Sequence, residues 1–135
     1  MNRMMRGFTL IEAMIVVAIL GIIVAFGYPS YRDQVMKSRR AEGMGELLEL
    51  ADRLERYYSD KGTYAGATAA NIFRAETEKK HYKLAIDGTQ TNDVKFVITA
   101  TPENGQDKDK CGTFTLDSTG TKSVSGPLSD GDCWK

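Results

Sequence analysis

The chain has few of the side chains on which most active sites depend. Its 135 residues include one histidine and two cysteines. His81 follows two lysines, with no nucleophile and no zinc-spaced cysteines around it, so a solvated residue is a better interpretation than a catalytic one. The glycines match neither nucleotide-binding fingerprint. The sequence therefore predicts neither an enzyme nor a bound cofactor.

An excess of charge of one sign is also absent. The chain has 18 basic and 18 acidic residues, and a formal net charge of zero does not suggest a strongly basic surface for nucleic acid. Calcium prefers clustered carboxylates, for which Asp107 with Asp109 and Asp130 with Asp132 are the candidates. Neither stretch has the EF-hand spacing, so we interpret these side chains as solvated turn carboxylates and predict no metal site.

What the chain does have is one long apolar run, from Phe8 to Tyr28, behind a short leader that contains Arg3 and Arg6. As an α-helix this run would span roughly 30 Å, the thickness of a bilayer core. Its one charged residue is Glu12, and a carboxylate at membrane depth costs roughly 2.5–3.5 kcal/mol unless it has a partner. We therefore predict a membrane helix. A secretory signal peptide is the weaker alternative, because its apolar core is normally uninterrupted.

An amphipathic pattern continues the helix from about Tyr31 to Ser59. Pro29, just before it, should kink the helix or loosen the preceding turn. Gly43 and Gly45 each weaken a helix by about 1 kcal/mol relative to alanine, and they indicate either a flexible point or close packing. Apolar side chains recur in this segment at steps of three and four residues, at Met44, Leu47, Leu48, Ala51, Leu54 and Tyr58.

Beyond residue 60 the pattern changes from helical to strand-like. The helix should end at 60–62, where Gly62 suits a left-handed cap, and a short helix is predicted at 71–78. A charged loop is expected at 103–110. Strands are predicted at 82–86, 94–101, 112–117 and 121–125. A helix followed by strands implies an α+β fold, with an antiparallel sheet packed on the amphipathic half of the helix. The predicted core residues of the sheet are Leu84, Ile86, Phe96, Ile98, Phe114 and Leu116.

The two cysteines, Cys111 and Cys133, are both late in the chain. An even pair of cysteines is typical of a disulfide in an oxidising compartment and of free thiols in the cytosol. The membrane segment upstream favours the disulfide. Such a bond would close a loop of about 23 residues and stabilise the fold by roughly 3 kcal/mol. Trp134 is expected to pack against the bridge, with surface recognition as the alternative. One pattern disagrees with this compartment: the basic residues at 32–40 outnumber those of the leader, which by the positive-inside rule would place the large domain in the cytoplasm.

The hexapeptide GFTLIE at residues 7–12, followed by an apolar helix, resembles the class III leader of type IV pilins and of the related type II secretion pseudopilins. In that family a dedicated peptidase cuts after the glycine and N-methylates the new first residue. The resemblance implies cleavage between Gly7 and Phe8, and methylation of Phe8. It makes Glu12 the glutamate needed for assembly, and Pro29 the counterpart of the family's helix-interrupting proline.

Four segments follow from this resemblance. They are a cleaved leader at 1–7, a hydrophobic membrane and assembly helix at 8–30, the amphipathic half of the same helix at 31–60, and an α+β head with a C-terminal disulfide loop at 61–135. Most pseudopilins lack that loop, so the cysteines favour the pilin branch. The compact sheet and the C-terminal ending resemble those of a minor pilin.

The function that the resemblance implies is that of a structural subunit of a type IV pilus. Its implied partners are other pilin subunits, the prepilin peptidase, the inner-membrane assembly machinery and, before assembly, the lipid bilayer. The precursor would cross the inner membrane once, with a periplasmic head, and later join a pilus on the cell surface. The pilus would serve twitching motility, adhesion or DNA uptake. A type II secretion pseudopilin is one alternative.

A tip pilin that binds DNA or a surface is the other alternative. Five lysines would form a basic patch if the loops that carry them meet: Lys79, Lys80, Lys83, Lys108 and Lys110. Acidic residues are interleaved with them in sequence, at Glu76, Glu78, Asp107 and Asp109, which favours an ordinary surface of mixed charge. Binding to nucleic acid is therefore an open alternative without support from the sequence.

Overall fold

The computed structural model describes residues 6–135 of the chain. Most of the predicted leader, residues 1–5 with Arg3, lies outside this range. The chain divides into two compact units, the first ending at Val35 and the second formed by Met36–Lys135. We call the second unit the head and describe the two units separately.

Helix α1 runs from Leu10 to Lys61 and includes Pro29. One continuous helix therefore contains both the apolar and the amphipathic segment, as predicted. The helix ends where Gly62 adopts a φ of 72°, in the left-handed region that glycine enters without steric cost. On its exposed surface α1 carries the favourable i,i+4 pairs that join Glu49 to Arg53 and Asp52 to Arg56.

Four strands form one antiparallel sheet in the order β1-β2-β3-β4. Their bounds are Tyr82–Ile86 for β1, Val97–Pro102 for β2, Phe114–Asp117 for β3 and Lys122–Val124 for β4. Strand β2 begins three residues later than predicted, because the Asn92 side chain accepts the backbone N–H groups of residues 94 and 95 and holds them in a turn.

Short helical segments occupy the connections. Helix α2, Ala69–Ile72, starts at a Thr68 side chain that accepts the Asn71 N–H. The helix predicted at 71–78 is thus wrong in extent, since Glu76 instead forms a β-bridge with Lys83. A 3-10 turn at Gln106–Lys108 lies within the predicted charged loop, and helix α3, Asp130–Cys133, was not predicted.

The core lies between α1 and one face of the sheet. Leu48 is 46 % exposed, whereas Leu50, which the predicted apolar stripe omitted, is fully buried. The predicted core residues of the sheet are buried, except Ile86, which is partly buried. Residues of α1 that pack in this core are Gly43, Met44, Leu47, Leu50 and Leu54. The fold is the α+β architecture that the sequence predicted.

Both outer edges of the sheet have bonding partners. Along β1, the Leu84 N–H donates to the Ala75 carbonyl, and the Tyr82 carbonyl accepts the Thr77 N–H. Along β4, the outward N–H of Val124 donates to a carboxylate oxygen of the C-terminal segment, 2.8 Å away. Neither edge therefore presents a bare row of backbone groups.

The disulfide between Cys111 and Cys133 is present and its sulfurs are buried. The chain folds tightly beside it. A Cβ atom added to Gly126 would lie 2.0 Å from the carbonyl oxygen of Lys110, so only glycine fits there. The Trp134 ring packs edge-to-face on a core phenylalanine at 5.2 Å, and its indole N–H donates to a β4 carbonyl at 3.1 Å, which supports packing as the role of this residue.

Candidate functional site

The start of α1 shows how the predicted processing and assembly residues are arranged. Gly7 and Phe8 precede the helix and are exposed, so the bond between them is accessible to a protease. The Thr9 hydroxyl accepts the N–H of Glu12 at 3.2 Å. This threonine is therefore the N-cap of α1, and the glutamate three residues later has the spacing of a capping box. The capping role was missed, although the spacing of the two residues carried the signal.

Glu12 also lies in the first turn of α1, where a carboxylate interacts favourably with the positive end of the helix dipole. Its position therefore has a local explanation in addition to any partner in another subunit. The two explanations are compatible, because the bond at the helix N-cap uses the backbone N–H of Glu12 and not its carboxylate.

The first unit of the described chain has an extensive exposed apolar surface. An 18-residue stretch of α1 has a mean hydropathy of 2.7 and none of it is buried, so α1 is long and apolar enough to cross a membrane. Phe8 is 75 % and Phe26 is 80 % exposed. Such a surface needs lipid or other apolar helices around it, because contiguous exposed apolar area on this scale marks an interaction site.

In the head, a buried polar network ties the predicted charged loop to α1. Arg40 donates to both carboxylate oxygens of Asp109, through Nε at 2.6 Å and through Nη2. The Gln106 amide donates to the Met36 carbonyl and to the Tyr82 hydroxyl, each at 3.1 Å. Burial raises the pKa of Tyr82 to about 12. Asp109 was predicted to be a solvated turn residue and that prediction is wrong, since its side chain is 1 % exposed.

The remaining candidate carboxylates have partners of their own. Asp130 accepts the Val124 N–H, and Asp107 accepts the N–H of residue 105 at 3.1 Å. Asp132 accepts the Ser129 hydroxyl at 2.7 Å, a bond that lowers the pKa of this carboxyl. Within residues 6–135 no group of three or more histidine, cysteine or acidic side chains is placed to hold a metal ion.

His81 is less solvated than predicted. Its side chain is 19 % exposed, and Nδ1 lies 3.8 Å from a carboxylate oxygen of Glu42 on α1. Close by, burial raises the pKa of Glu46, which pairs with Arg74 at 3.0 Å. These contacts attach the segment before β1 to the helix, and they include no nucleophile for which the imidazole could act as a base.

Two of the loops that carry the candidate lysines do meet. The side-chain amide of Asn104 donates to the Lys80 carbonyl at 2.6 Å, which joins the segment before β1 to the loop at 103–110. Lys80 is therefore next to the loop that carries Lys108, and Lys79, Lys80 and Lys108 are exposed, as are the acidic residues Glu76, Glu78 and Asp107. Because Asp109 is buried with Arg40, it does not offset the charge of the lysines at the surface.

Comparison with known families gives two matches. Residues 29–115 match the family model described as "Type IV minor pilin ComP, DNA uptake sequence receptor". Residues 2–28 match the "Prokaryotic N-terminal methylation motif".

Individual relatives are fimbrial proteins. The chain is 36 % identical to the fimbrial protein EcpC of Eikenella corrodens over 102 residues, which is 75 % of this chain and 65 % of that protein. It is 41 % identical to the type IV major fimbrial protein FimA of Dichelobacter nodosus over 91 residues, or 65 % of this chain and 56 % of the relative. The alignments thus span less than two thirds of these relatives.

Solved structures of similar fold are also pilins. The non-core minor pilin PilV of Neisseria meningitidis superposes with a TM-score of 0.58 at 23 % identity, over 72 % of this chain and 94 % of that one. A type IV pilin of Shewanella oneidensis gives a TM-score of 0.53 at 26 % identity, over 74 % of this chain and 98 % of the other.

Proposed function

Because the chain belongs to the type IV minor pilin family, we propose that it is a minor subunit of a type IV pilus, inserted into the inner membrane with a periplasmic head and then assembled through α1. The relatives are structural pilins, which fits a protein without catalytic activity. The observation that carries the proposal is the exposed apolar half of α1. A helix of this kind is stable in lipid before assembly and in a bundle of like helices afterwards.

We further propose that cleavage between Gly7 and Phe8 prepares the subunit for assembly. The new amine of Phe8 would pair with Glu12 of a neighbouring copy or of another pilin. A carboxylate enclosed among apolar helices is costly without a cation, and leaving one partner of a buried pair unmatched costs about 3–5 kcal/mol. Subunits in the wrong register would leave Glu12 unmatched, so the pair favours one register.

Mass spectrometry of sheared surface filaments tests the proposal. We expect a peptide that begins at N-methylated Phe8, in small amount relative to the main pilin. The same peptide in dominant amount would identify a shaft pilin and refute the minor role. Its absence from filaments, with Phe8 still processed in membranes, would indicate a pseudopilin of the type II secretion class.

The role of Glu12 has its own test. Glu12→Ala should leave the chain inserted and processed but reduce its amount in filaments strongly, whereas Glu49→Ala, at an exposed glutamate of the same helix, should not. Because Glu12 also lies in the first turn of α1, the helix content of the variant in detergent should be measured alongside. Normal incorporation of Glu12→Ala would contradict the assembly role.

DNA uptake is a second candidate function, favoured by the description of the family that matches residues 29–115. The patch formed by Lys79, Lys80 and Lys108 is the surface that we would assign to it. Phosphate contacts release counterions, so binding should weaken steeply with salt, with a slope that falls by about one for each contacting lysine replaced by alanine. Lys122→Ala, at a lysine that lies over the Trp134 ring, is the matched control. Binding that is insensitive to salt and to these changes would refute the assignment.

A further inference from the structure

One arginine of the head has no anionic partner. Arg39 of α1 is partly buried, yet within residues 6–135 it forms no hydrogen bond and no ion pair. The other arginines of the head each pair with a carboxylate, and they are Arg40, Arg53, Arg56 and Arg74. A guanidinium that is partly withdrawn from water without gaining an anion is costly, so Arg39 gains the most from binding one.

The guanidinium of Arg39 lies against the turn at 103–106. A Cβ atom placed on Gly105 would be 3.9 Å from Nη1 of Arg39, which is ordinary van der Waals contact. Gly105 has a φ of 92°, and across the turn the backbone N–H of Gln106 donates to the Glu103 carbonyl at 3.1 Å. The glycine leaves the surface beside the guanidinium free of a side chain.

The backbone of this turn is held in an unusual conformation. Lys80 and Asn104 have φ values of 60° and 53°, and in the described part of the chain they are the only residues other than glycine with a positive φ. The Asn104 side-chain amide donates to the Lys80 carbonyl at 2.6 Å, which joins the two residues. Residues other than glycine rarely adopt this conformation, and those that do are concentrated at binding sites and other functional sites. The turn is therefore a fixed surface and not a freely moving loop.

Exposed lysines lie around this surface. Lys80 is part of it, Lys79 precedes Lys80, and Lys108 follows the turn by two residues. Exposed Glu76 and Glu78 are interleaved with these lysines, so net charge alone selects no ligand here. The guanidinium adds what the lysines lack, because its N–H groups form a planar fork that matches two oxygens of a phosphate group. A row of cations around such a fork suits a chain of phosphates.

The acidic residues of the loop at 103–110 do not occupy the guanidinium of Arg39. Asp107 accepts a backbone N–H of the turn at 3.1 Å, and Asp109 is buried in the ion pair described above. Glu103 is partly buried and forms no ion pair within residues 6–135. The donors of Arg39 are therefore available to a ligand.

We propose that Arg39 binds a phosphate group of a nucleic-acid backbone at this turn, from which the backbone continues over Lys79, Lys80 and Lys108. The inference rests on the second candidate function, binding to nucleic acid, and adds to the lysine patch a contact with defined geometry. A phosphate contact positions the nucleic acid and reads no sequence. Replacing Arg39 should therefore weaken binding to any sequence by the same factor.

Fluorescence anisotropy of labelled duplex DNA, with the full-length chain in detergent micelles, tests the inference. Arg39→Gln should weaken binding by about tenfold and lower the slope of log affinity against log salt by about one. Arg39→Lys should keep the slope but bind several-fold less tightly, because an ammonium has no planar fork. The control Arg56→Gln, at an exposed arginine of the same helix that pairs with Asp52, should change the affinity by less than about twofold.

Stability separates a binding role from a structural one. Because Arg39 has no partner within residues 6–135, Arg39→Gln should leave the denaturant midpoint of unfolding unchanged. A lower midpoint together with weaker DNA binding would mean that Arg39 supports the fold, and would overturn the inference. Two duplexes of equal length and different sequence should lose affinity by the same factor. A loss confined to one of them would indicate a base contact and would also overturn the inference.

The remaining outcomes separate the inference from the function on which it rests. If the unchanged chain does not bind DNA, the second candidate function is refuted and the inference with it. If the chain binds DNA through the lysines and Arg39→Gln binds equally well, only the inference is refuted. At equal ionic strength, replacing chloride by inorganic phosphate should weaken DNA binding only slightly. Strong competition that disappears in Arg39→Gln would show a site for the free ion and would overturn the inference.

Discussion

Replacing Gly43 and Gly45 by alanine, one at a time, separates the two interpretations of these helix glycines. Both lie inside α1, where alanine is favoured over glycine by about 0.8–1.0 kcal/mol. Their surroundings differ. A Cβ atom on Gly45 would have no heavy atom within 4 Å, whereas one on Gly43 would lie 2.7 Å from Cδ2 and 2.9 Å from Cε2 of Tyr82.

The Tyr82 ring has little room to move away. It is fully buried, packs edge-to-face on Phe114 at 5.9 Å, and is held by a hydrogen bond from Gln106. Overpacking of such a site typically costs about 1–3 kcal/mol. Since the gain in helix propensity is common to both variants, Gly43→Ala should be less stable than Gly45→Ala by about 1–3 kcal/mol. Relative to the unchanged chain, Gly45→Ala should be stabilised by about 1 kcal/mol.

Denaturant unfolding of the full chain in detergent micelles, followed by the fluorescence of Trp134, measures both free energies. Trp134 is the single tryptophan and is attached to the head core, so it reports the unfolding of the head. In a chain that also carries Tyr82→Leu, the penalty at Gly43 should largely vanish. Equal stability of the two alanine variants, within about 0.5 kcal/mol, would refute the packing argument and restore the interpretation of Gly43 as a flexible point.

Three further predictions concern the head. Asp109→Ala should lower the free energy of unfolding by about 3 kcal/mol, because the largely buried Arg40 loses the carboxylate with which it pairs. Asp52→Ala, which removes an exposed ion pair, should change it by less than about 1 kcal/mol. Similar losses for the two variants in the same denaturant assay would contradict this prediction. Gly126→Ala should lower the thermal midpoint of unfolding, because the added Cβ atom would collide with the Lys110 carbonyl beside the disulfide. An unchanged midpoint would contradict this prediction. Above pH 10, Tyr82 loses its proton in the unfolded chain but keeps it in the folded chain until about pH 12. The free energy of unfolding should therefore fall with rising pH over this interval, by up to about 1.4 kcal/mol per pH unit, and should fall less in Tyr82→Phe. Parallel pH profiles of the two proteins would show that Tyr82 does not contribute.

The elements that could be predicted were those with a local cause. The Phe8–Tyr28 run and the strand pattern of β1 each depend on neighbouring residues in sequence, and β1 was predicted with its correct bounds. The end of α1 was also correct, since Gly62 supplies the left-handed residue that a helix terminus needs.

What could not be predicted depends on tertiary contacts. The loop at 103–110 looked solvated because it is rich in charge, yet Gln106 and Asp109 are buried through partners some 70 residues earlier, in α1. Leu48 was assigned to the side of α1 that faces the sheet and is exposed, whereas Leu50 was left out of it and is buried. Apolar spacing alone allows either leucine to face the sheet. Of the assembly site, Gly7, Phe8 and Glu12 came from a resemblance, and the role of each stays a prediction.

The hydrogen-bonding partners along the two outer edges of the sheet affect how heads can associate when they are packed closely together. A strand with bare backbone groups can be extended by a strand from another molecule, and proteins held at high local density are the most exposed to such aggregation. Here the Ala75–Thr77 segment occupies the edge of β1, and Asp130 places a carboxylate on the outward N–H of Val124. Heads packed side by side in a filament are thereby kept from merging into a continuous sheet, and association between them is left to side chains.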